Sequence, residues 1–492
     1  MATHFEQGRQ YERAIEYLLL TAENANRRFA YRDSIGMLQH ALALAAKVPS
    51  NARIKAEVRI LERIGDAQYA LGNMLDSAEA YQRAASRASD AGLKAAKIDA
   101  LNCLACTTVL IDGDRGIALS QQATEACQGL EDPLLNARTQ LLSATLRLAY
   151  DQWRTEDAAA CVSAHQTIGR LSDPTRPSYH QIWYAHLQSL QGEYQEALNT
   201  AEAGIPKFNE PTGLVTYVLA LSAKAIALLH LGRFGEALAT LRTAQATGEK
   251  NDSTPWIFIF REAWLRTLVF DFEGVRGLCD MVMSANPAYL SGQPKAMTLI
   301  ATGYVALAKG DRDEAMRCFR EVRDREMAPK FFLHWYWRMR AELGLSDVLL
   351  EAGEIVAAER ETDRFLRSAL STADPNLQAL AWDIKTRLAI AHNDLKSGNE
   401  FLQNALAILA DFRVPVSAWR VHSTAWEFYA RNGNHEAAEA YRAEAEIGIL
   451  AIANSFPHDE PLRDIFLASD PVRKVLDAKP LKKAIINAAV NT

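Results

Sequence analysis

A glycine followed five residues later by a small residue recurs along this chain at intervals of about 40 residues, and such a fixed period marks a repeat architecture. No other feature constrains the fold as much. The clearest copy holds Gly232, Phe234, Ala237, Leu241 and Ala244. Gly192, Tyr194 and Ala197 repeat its opening, as do Gly310, Ala315 and Phe319, then Gly72, Ser77, Tyr81 and Ala84. Gly353, Ile355 and Ala358 form another copy, and Gly113 and Ala118 one more. Small-residue anchors keep the same period at Ser77, Ala118, Ala158, Ala197, Ala237, Val275, Ala315, Ala358, Gly398 and Ala437. A second lattice runs in step, with Pro133, Pro174, Pro211, Pro255, Pro294, Pro329, Pro375 and Pro415 each preceding an anchor by a little more than half a period.

Each unit reads as a helix hairpin. Proline costs little in the first turn of a helix, whose leading amides lack intrahelical partners. Glycine closes the first helix in a left-handed conformation. The small anchor lets the second helix approach the first closely, and Leu241 and Ala244 continue the apolar stripe by one turn. One hairpin cannot bury its apolar face, so stability has to come from stacking on neighbours in an elongated array.

The glycine and small anchor, the aromatic or leucine four residues later and the alanine after it resemble tetratricopeptide repeats. Val275 and Pro287 match that family's spacing from anchor to closing proline. The family period is about 34 residues, and the longer period here is similar to the helical arm of maltose-activator-type regulators among the signal-transduction ATPases with numerous domains. His4–Leu18 and Ala22–Ala25 look like the segment that follows the nucleotide-binding and winged-helix modules there; Ala14 and Ser34 are anchors at only half the usual separation, as at an irregular cap. Asp459–Ala468 and Pro471–Leu476 look like the helical tail closing such arrays. The resemblance implies an all-α, right-handed α-α superhelix of about ten hairpins, with capping helices at 1–50, the array at 51–454 and a capping helix and tail at 455–492. It further implies a sensor arm, with an ATPase or output module on the N-terminal side. The alternative is a free-standing adaptor for protein assembly, which a true start at Met1 would favour.

Chemistry is not legible. No phosphate-cradling Gly-x-x-x-x-Gly-Lys-Ser/Thr occurs, so neither ATP nor another cofactor is expected, and no His-Glu-x-x-His or Gly-x-Ser-x-Gly nucleophile turn is present. Cys103-Leu-Ala-Cys106 lacks a second ligand pair and lies inside an expected first helix, 93–111, where two small residues pack against a neighbour. Net charge is −6 over 492 residues, with no footprint for a nucleic-acid backbone. The basic residues Arg473, Lys474, Lys479, Lys482 and Lys483 are diluted by Asp470 and Asp477 and read as a frayed terminus. No stretch of about 18 uncharged apolar residues predicts a membrane span. The first residues resemble no signal peptide, and six scattered cysteines make no disulfide framework, so a cytoplasmic, non-enzymatic protein is expected.

Binding is the remaining function. All nine tryptophans lie at or after Trp153. Counting back from the anchors by the family's spacing turns His186, Trp264, Tyr304, Asp347, Arg387 and Trp426 toward a concave groove, with Trp183 and Trp419 beside them. The equivalent earlier positions are Asp66, Thr107 and Arg147. As binding residues this set suits a peptide, protein partner or small effector, since aromatic and arginine side chains dominate binding energy. Equally, the tryptophans could fill space between layers. Trp382 falls on a packing position, and the runs Trp256–Phe260 and Phe331–Trp337 read as interlayer packing.

Overall fold

A computed structural model describes residues 1–172, 179–205, 213–250, 256–285, 292–324 and 330–478. Among them are 25 helices and no strand. After a short α1 (Ala2–Gln7), the chain forms eleven antiparallel hairpins. These are α2 (Tyr11–Asn26) with α3 (Tyr31–Ala45), α4 (Ser50–Ala70) with α5 (Met74–Asp90), α6 (Lys94–Thr108) with α7 (Gly113–Ala126), and α8 (Pro133–Tyr150) with α9 (Thr155–Leu171). There follow α10 (Tyr179–Leu190) with α11 (Tyr194–Ala203), α12 (Gly213–His230) with α13 (Phe234–Lys250), and α14 (Trp256–Leu268) with α15 (Phe272–Ala285). Then come α16 (Gly292–Ala308) with α17 (Arg312–Asp324), α18 (His334–Glu351) with α19 (Ile355–Leu370), α20 (Pro375–Ala391) with α21 (Leu395–Asp411), and α22 (Pro415–Arg431) with α23 (His435–Asn454). Two short helices, α24 (Pro461–Ala468) and α25 (Asp470–Leu476), close the far end against α23.

The turns follow from local chemistry. Gly72, Gly192, Gly232, Gly310, Gly353 and Gly433 adopt φ of 71–81° between first and second helices. Each turn returns an amide to a carbonyl five residues back, as Arg233 N does to Leu228 O at 3.0 Å and Glu354 N to Leu349 O at 3.0 Å, satisfying acceptors at the helix end. Phe29, Phe270 and Asn393 take the same place with φ of 62°, 65° and 57°. Phe270 offsets this strain with its ring, which stacks on Phe466 with centroids 6.3 Å apart and carries Arg420 at 4.9 Å. Pro133, Pro375 and Pro415 open first helices as expected; Pro294 lies just inside α16. Pro174, Pro211, Pro255, Pro287 and Pro329 lie outside the described residues, as do Lys479, Lys482 and Lys483.

Eight anchors are buried: Ser77, Ala158, Ala197, Ala237, Val275, Ala315, Ala358 and Gly398. Two expectations need correction. Ala118 is exposed; α7 starts without a left-handed turn, and its close approach is made by Gly116, where a Cβ would stand 2.6 Å from Val109 Cα. Ala437 is half-buried and its neighbour Ala438 is fully buried. The buried small residue stands five positions after the left-handed one, and Gly433 therefore selects Ala438.

The array does not extend freely; it coils until hairpins four or five units apart touch. Between α17 and α18 the chain reaches α7 and α8. Gly113 N donates to Lys330 O at 3.0 Å, Leu333 N to Ala149 O at 2.7 Å, and the Trp335 indole to Leu148 O at 3.0 Å. The Lys330 ammonium pairs with Asp151 at 2.7 Å and Asp114 at 3.0 Å. Farther along, Pro375 sits against Gly192, and the Asn376 amide donates to the Tyr194 hydroxyl at 2.6 Å. At the last contact the Ser455 hydroxyl accepts from Phe234 N at 3.0 Å, and Arg242 pairs with Glu460 at 2.7 Å. The first amides of α7 and α13, which no intrahelical carbonyl can satisfy, are thus partnered from the next coil of the superhelix. The segment 331–337 accordingly packs between coils, with Trp335, Tyr336 and Trp337 all buried.

Candidate functional site

Successive first helices pack on one another, α16 on α18, α18 on α20 and α20 on α22, and closure of the coil changes what they present. Phe332, carried in by the segment before α18, meets Tyr150 edge-on at 5.7 Å and His186 at 6.0 Å, and lies 4.3 Å beneath the Arg261 guanidinium. His186 is thereby buried, with half-buried Trp183 beside it at 6.1 Å. Burial and the Arg261 charge push the His186 imidazole down to about 3, so it is neutral. Arg261 itself is 2% exposed, donates to the Ser222 hydroxyl at 3.2 Å, and is pulled down to about 10 by burial.

Trp264 is 3% exposed and donates to the Tyr336 hydroxyl at 3.2 Å, with His230 edge-on to its ring at 5.7 Å. His230 stacks on Tyr194 at 4.7 Å and is pushed down to about 4 by burial. Trp419, also 3% exposed, meets Phe270 and Phe466 edge-on at 6.3 Å. His186, Trp264 and Trp419 are therefore enclosed, where the groove expectation had them open. Repeat spacing identifies which face of a helix points inward, but it does not report that a distant segment covers that face. Beside His186 and Trp264 remains a cavity of ≈ 20 Å³ lined by Trp183, His230, Phe332 and Tyr336. That is room for about one water and not for a ligand ring.

The other candidates keep some exposure. Tyr304 on α16 is half-buried, stacks on Phe272 at 5.1 Å and meets Phe319 edge-on at 5.0 Å. Asp347 on α18 accepts from Arg387 on α20 at 2.6 Å. Trp426 on α22 is half-buried, but the corrected anchor moves the equivalent position to Glu427. Tyr304, Asp347, Arg387 and Glu427 thus occupy one register on four successive first helices. Their mutual influence is visible in charge: Asp347, Asp383 and Glu427 all hold Arg387 in its charged form against the cost of burial. Sequence reasoning missed Glu427 because it placed the last anchor one residue early; the turn glycine Gly433 carried the signal.

Further residues enter this interior without having been singled out. Arg340 on α18 is 4% exposed, and Arg420 on α22 is half-buried. Asp374 accepts from Asn376 N at 2.9 Å and Leu377 N at 3.1 Å, and burial still pushes its carboxyl up to about 6. Burial likewise pushes Asp383 up to about 6. In the earlier hairpins, Thr107 is buried, Arg147 pairs with Asp157 at 2.6 Å, and Asp66 accepts from the Tyr81 hydroxyl at 2.7 Å. Trp382 stacks on Phe401 at 5.8 Å, consistent with a packing role. Cys103 and Cys106 lie within α6, and all six cysteines are free. Among the described residues no group of three metal-ligating side chains converges, and no helix is long and apolar enough to cross a membrane.

No family model matches the chain, and no curated protein matches it in sequence. Solved structures similar to it include the APC/C hetero-tetramer Cut9–Hcn1, at 15% identity over 97% of this chain and 86% of that one, with a TM-score of 0.48. A Rap protein complexed with competence and sporulation factor matches at 14% identity, 75% and 99% coverage and a TM-score of 0.45. Yeast Tom70 matches at 12% identity, 97% and 98% coverage and a TM-score of 0.35.

Proposed function

We propose that this chain is a non-catalytic repeat scaffold that binds a protein segment or small effector along the inner faces of its C-terminal first helices. In this reading it is the sensor arm of a signalling regulator, works in the cytoplasm, and biases an ATPase or output module attached on its N-terminal side. The observation that carries the binding reading is the row Tyr304, Asp347, Arg387 and Glu427, one partly exposed polar or aromatic residue on each of four neighbouring first helices. Side chains held at a fixed repeat spacing on rigid helices can contact a ligand without ordering flexible loops. The long repeat period and the terminal segments support the regulator arm, and six free cysteines suit a reducing compartment.

The test is a thermal-shift screen of metabolites and peptides against the wild type and Arg387→Ala, since a ligand that binds only the folded state raises its melting temperature. A ligand that stabilises the wild type and not the variant supports the row. Equal stabilisation of both places binding elsewhere and overturns it.

A further inference from the structure

We propose that Arg340 and Arg420 together form an oxyanion site inside the coil, one that takes a carboxylate or phosphate group of the ligand. This rests on the reading that the C-terminal first helices bind a ligand, and it names the chemistry they recognise. Register is the first argument. Arg340 precedes the anchor Ala358 by the same interval at which Arg420 precedes Ala438. The two therefore occupy equivalent places on α18 and α22, which flank α20, and α20 carries the buried apolar Leu380 at that place. The two cations thus stand at one register on either side of α20, and each acts on the Tyr304 hydroxyl.

Partnering is the second argument. Among the described residues neither arginine has a hydrogen-bonded or ion-paired partner, and the Arg340 Nε is buried with nothing to donate to. Arg420 lies over the Phe270 ring at 4.9 Å and the Trp419 ring at 5.1 Å. Ring faces stabilise a cation but do not satisfy its N–H donors. Nearby carboxylates attract the two arginines, Asp347 and Asp383 acting on Arg420, and Arg340 acting on Asp374, but none is hydrogen-bonded to either: Asp347 holds Arg387, and Asp374 caps α20. Buried donors left unsatisfied are costly, and the two cations also repel: Arg340, after burial, helps to pull Arg420 down to about 10. By contrast Arg323 and Arg147 are matched by carboxylates, Glu361 and Asp157, and the more deeply buried Arg261 has the Ser222 hydroxyl to donate to.

An oxyanion between the two arginines resolves both problems. Guanidinium forks match carboxylate and phosphate geometry and form hydrogen bonds roughly twice as strong as neutral ones. Two tyrosines extend the donor set. The Tyr336 hydroxyl accepts from Trp264 and keeps its own proton to donate, and the half-buried Tyr304 hydroxyl feels the charge of both arginines. The site is walled by Phe270 and Trp419, so the anion belongs to a ligand with an apolar or aromatic portion beside it.

Isothermal titration of the full chain in a low-salt buffer tests this, with inorganic phosphate, glutarate and a blocked triglutamate peptide as probes. The comparison is with Arg340→Met and Arg420→Met, which keep much of the side-chain length and remove the donors. At least one probe is expected to bind the wild type, and each replacement should weaken it by about tenfold or more, the loss of a charge-assisted pair of hydrogen bonds. Phosphate alone, glutarate alone or the peptide alone then identifies the source of the anion. The melting temperatures of the ligand-free variants should stay level or rise, because like-charge repulsion is relieved. No binding of any probe to the wild type overturns the proposal, as does binding indifferent to both replacements. A fall in both ligand-free melting temperatures makes the arginines packing elements and overturns it too. A ligand that stabilises the wild type and Arg387→Ala equally, with anion binding still lost in Arg340→Met and Arg420→Met, would remove the row of inner residues and leave this site standing.

Discussion

Gly235, near the start of α13, tests whether the coils of the superhelix support one another. Its φ is not left-handed, so alanine suits its backbone. An added Cβ, however, would stand far inside contact distance of the Ser455 carbonyl oxygen, 2.9 Å from that carbonyl carbon and 3.0 Å from Phe456 Cα. These are backbone atoms and cannot rotate away, so the junction of α23 and α24 has to withdraw by roughly 1 Å or more. Overpacking of this kind costs about 1–3 kcal/mol. Withdrawal also strains the Phe234 N to Ser455 hydrogen bond, worth about 1 kcal/mol. Against this, replacing glycine in a helix gains at most about 1 kcal/mol. The expected net effect of Gly235→Ala is a loss of about 1–3 kcal/mol, felt near 452–460 and in α13. Gly277→Ala in α15 is the control, because nothing lies within 4 Å of its added Cβ, and it should be neutral or stabilising by about 0.5–1 kcal/mol. Urea denaturation gives the magnitude, and amide exchange of the segment 452–457 gives the location. If Gly235→Ala matches Gly277→Ala in sign, or if faster exchange does not appear near Ser455, the contact between coils is not formed and the reasoning fails.

Three further outcomes follow from packing and charge. Ala237→Leu, Ala315→Leu and Ala438→Leu should each destabilise by about 1–3 kcal/mol through overpacking, whereas exposed Ala118→Leu should change little; comparable tolerance at all four sites in urea melts would refute the register. His186 and His230, pushed down to about 3 and 4 by burial, stay neutral in the fold while an unfolded chain takes up those protons near pH 6.5. Their stabilisation is complete above that pH and is lost as pH falls toward 4, so His230→Asn should flatten the acid side of the stability profile; an unchanged profile contradicts this. Asp383, pushed up to about 6, has the opposite sign: its ionisation costs stability as pH rises from 3.8 to 6. Asp383→Asn should therefore gain up to about 3 kcal/mol at pH 7 and little at pH 4, and a gain that does not depend on pH would show another cause.

The repeat was legible because its signals are local. A left-handed glycine, a proline at a helix start and a small residue at a close approach are each dictated within one hairpin, and Gly232, Pro375 and Ala237 meet those expectations. Where a hairpin departs from the common turn, counting by period fails. Gly116 replaces Ala118, and Ala438 replaces Ala437. Phe270 shows a turn that no glycine announces, its strained backbone held by its own packed ring. The residues of the proposed binding row were legible only as a register. Tyr304, Asp347 and Arg387 were found on neighbouring first helices and Glu427 was within reach through Gly433, but Arg340 and Arg420 needed the structure. Contacts such as Phe332 over His186 join residues several hairpins apart, and no periodicity within a hairpin encodes them.

The inner surface exists in this form only if the coils close on one another, and zero-length carbodiimide cross-linking of the monomer measures that closure directly. Lys330 lies 2.7 Å from Asp151 and 3.0 Å from Asp114, across 179 residues of sequence in the first case. Peptide mapping should recover Lys330 joined to Asp151 or Asp114. Lys474 joined to Glu427, 2.8 Å apart within the terminal hairpin region, serves as the local control. Recovery of the local link with neither long-range link would show that the hairpins stack without closing, and would contradict the account.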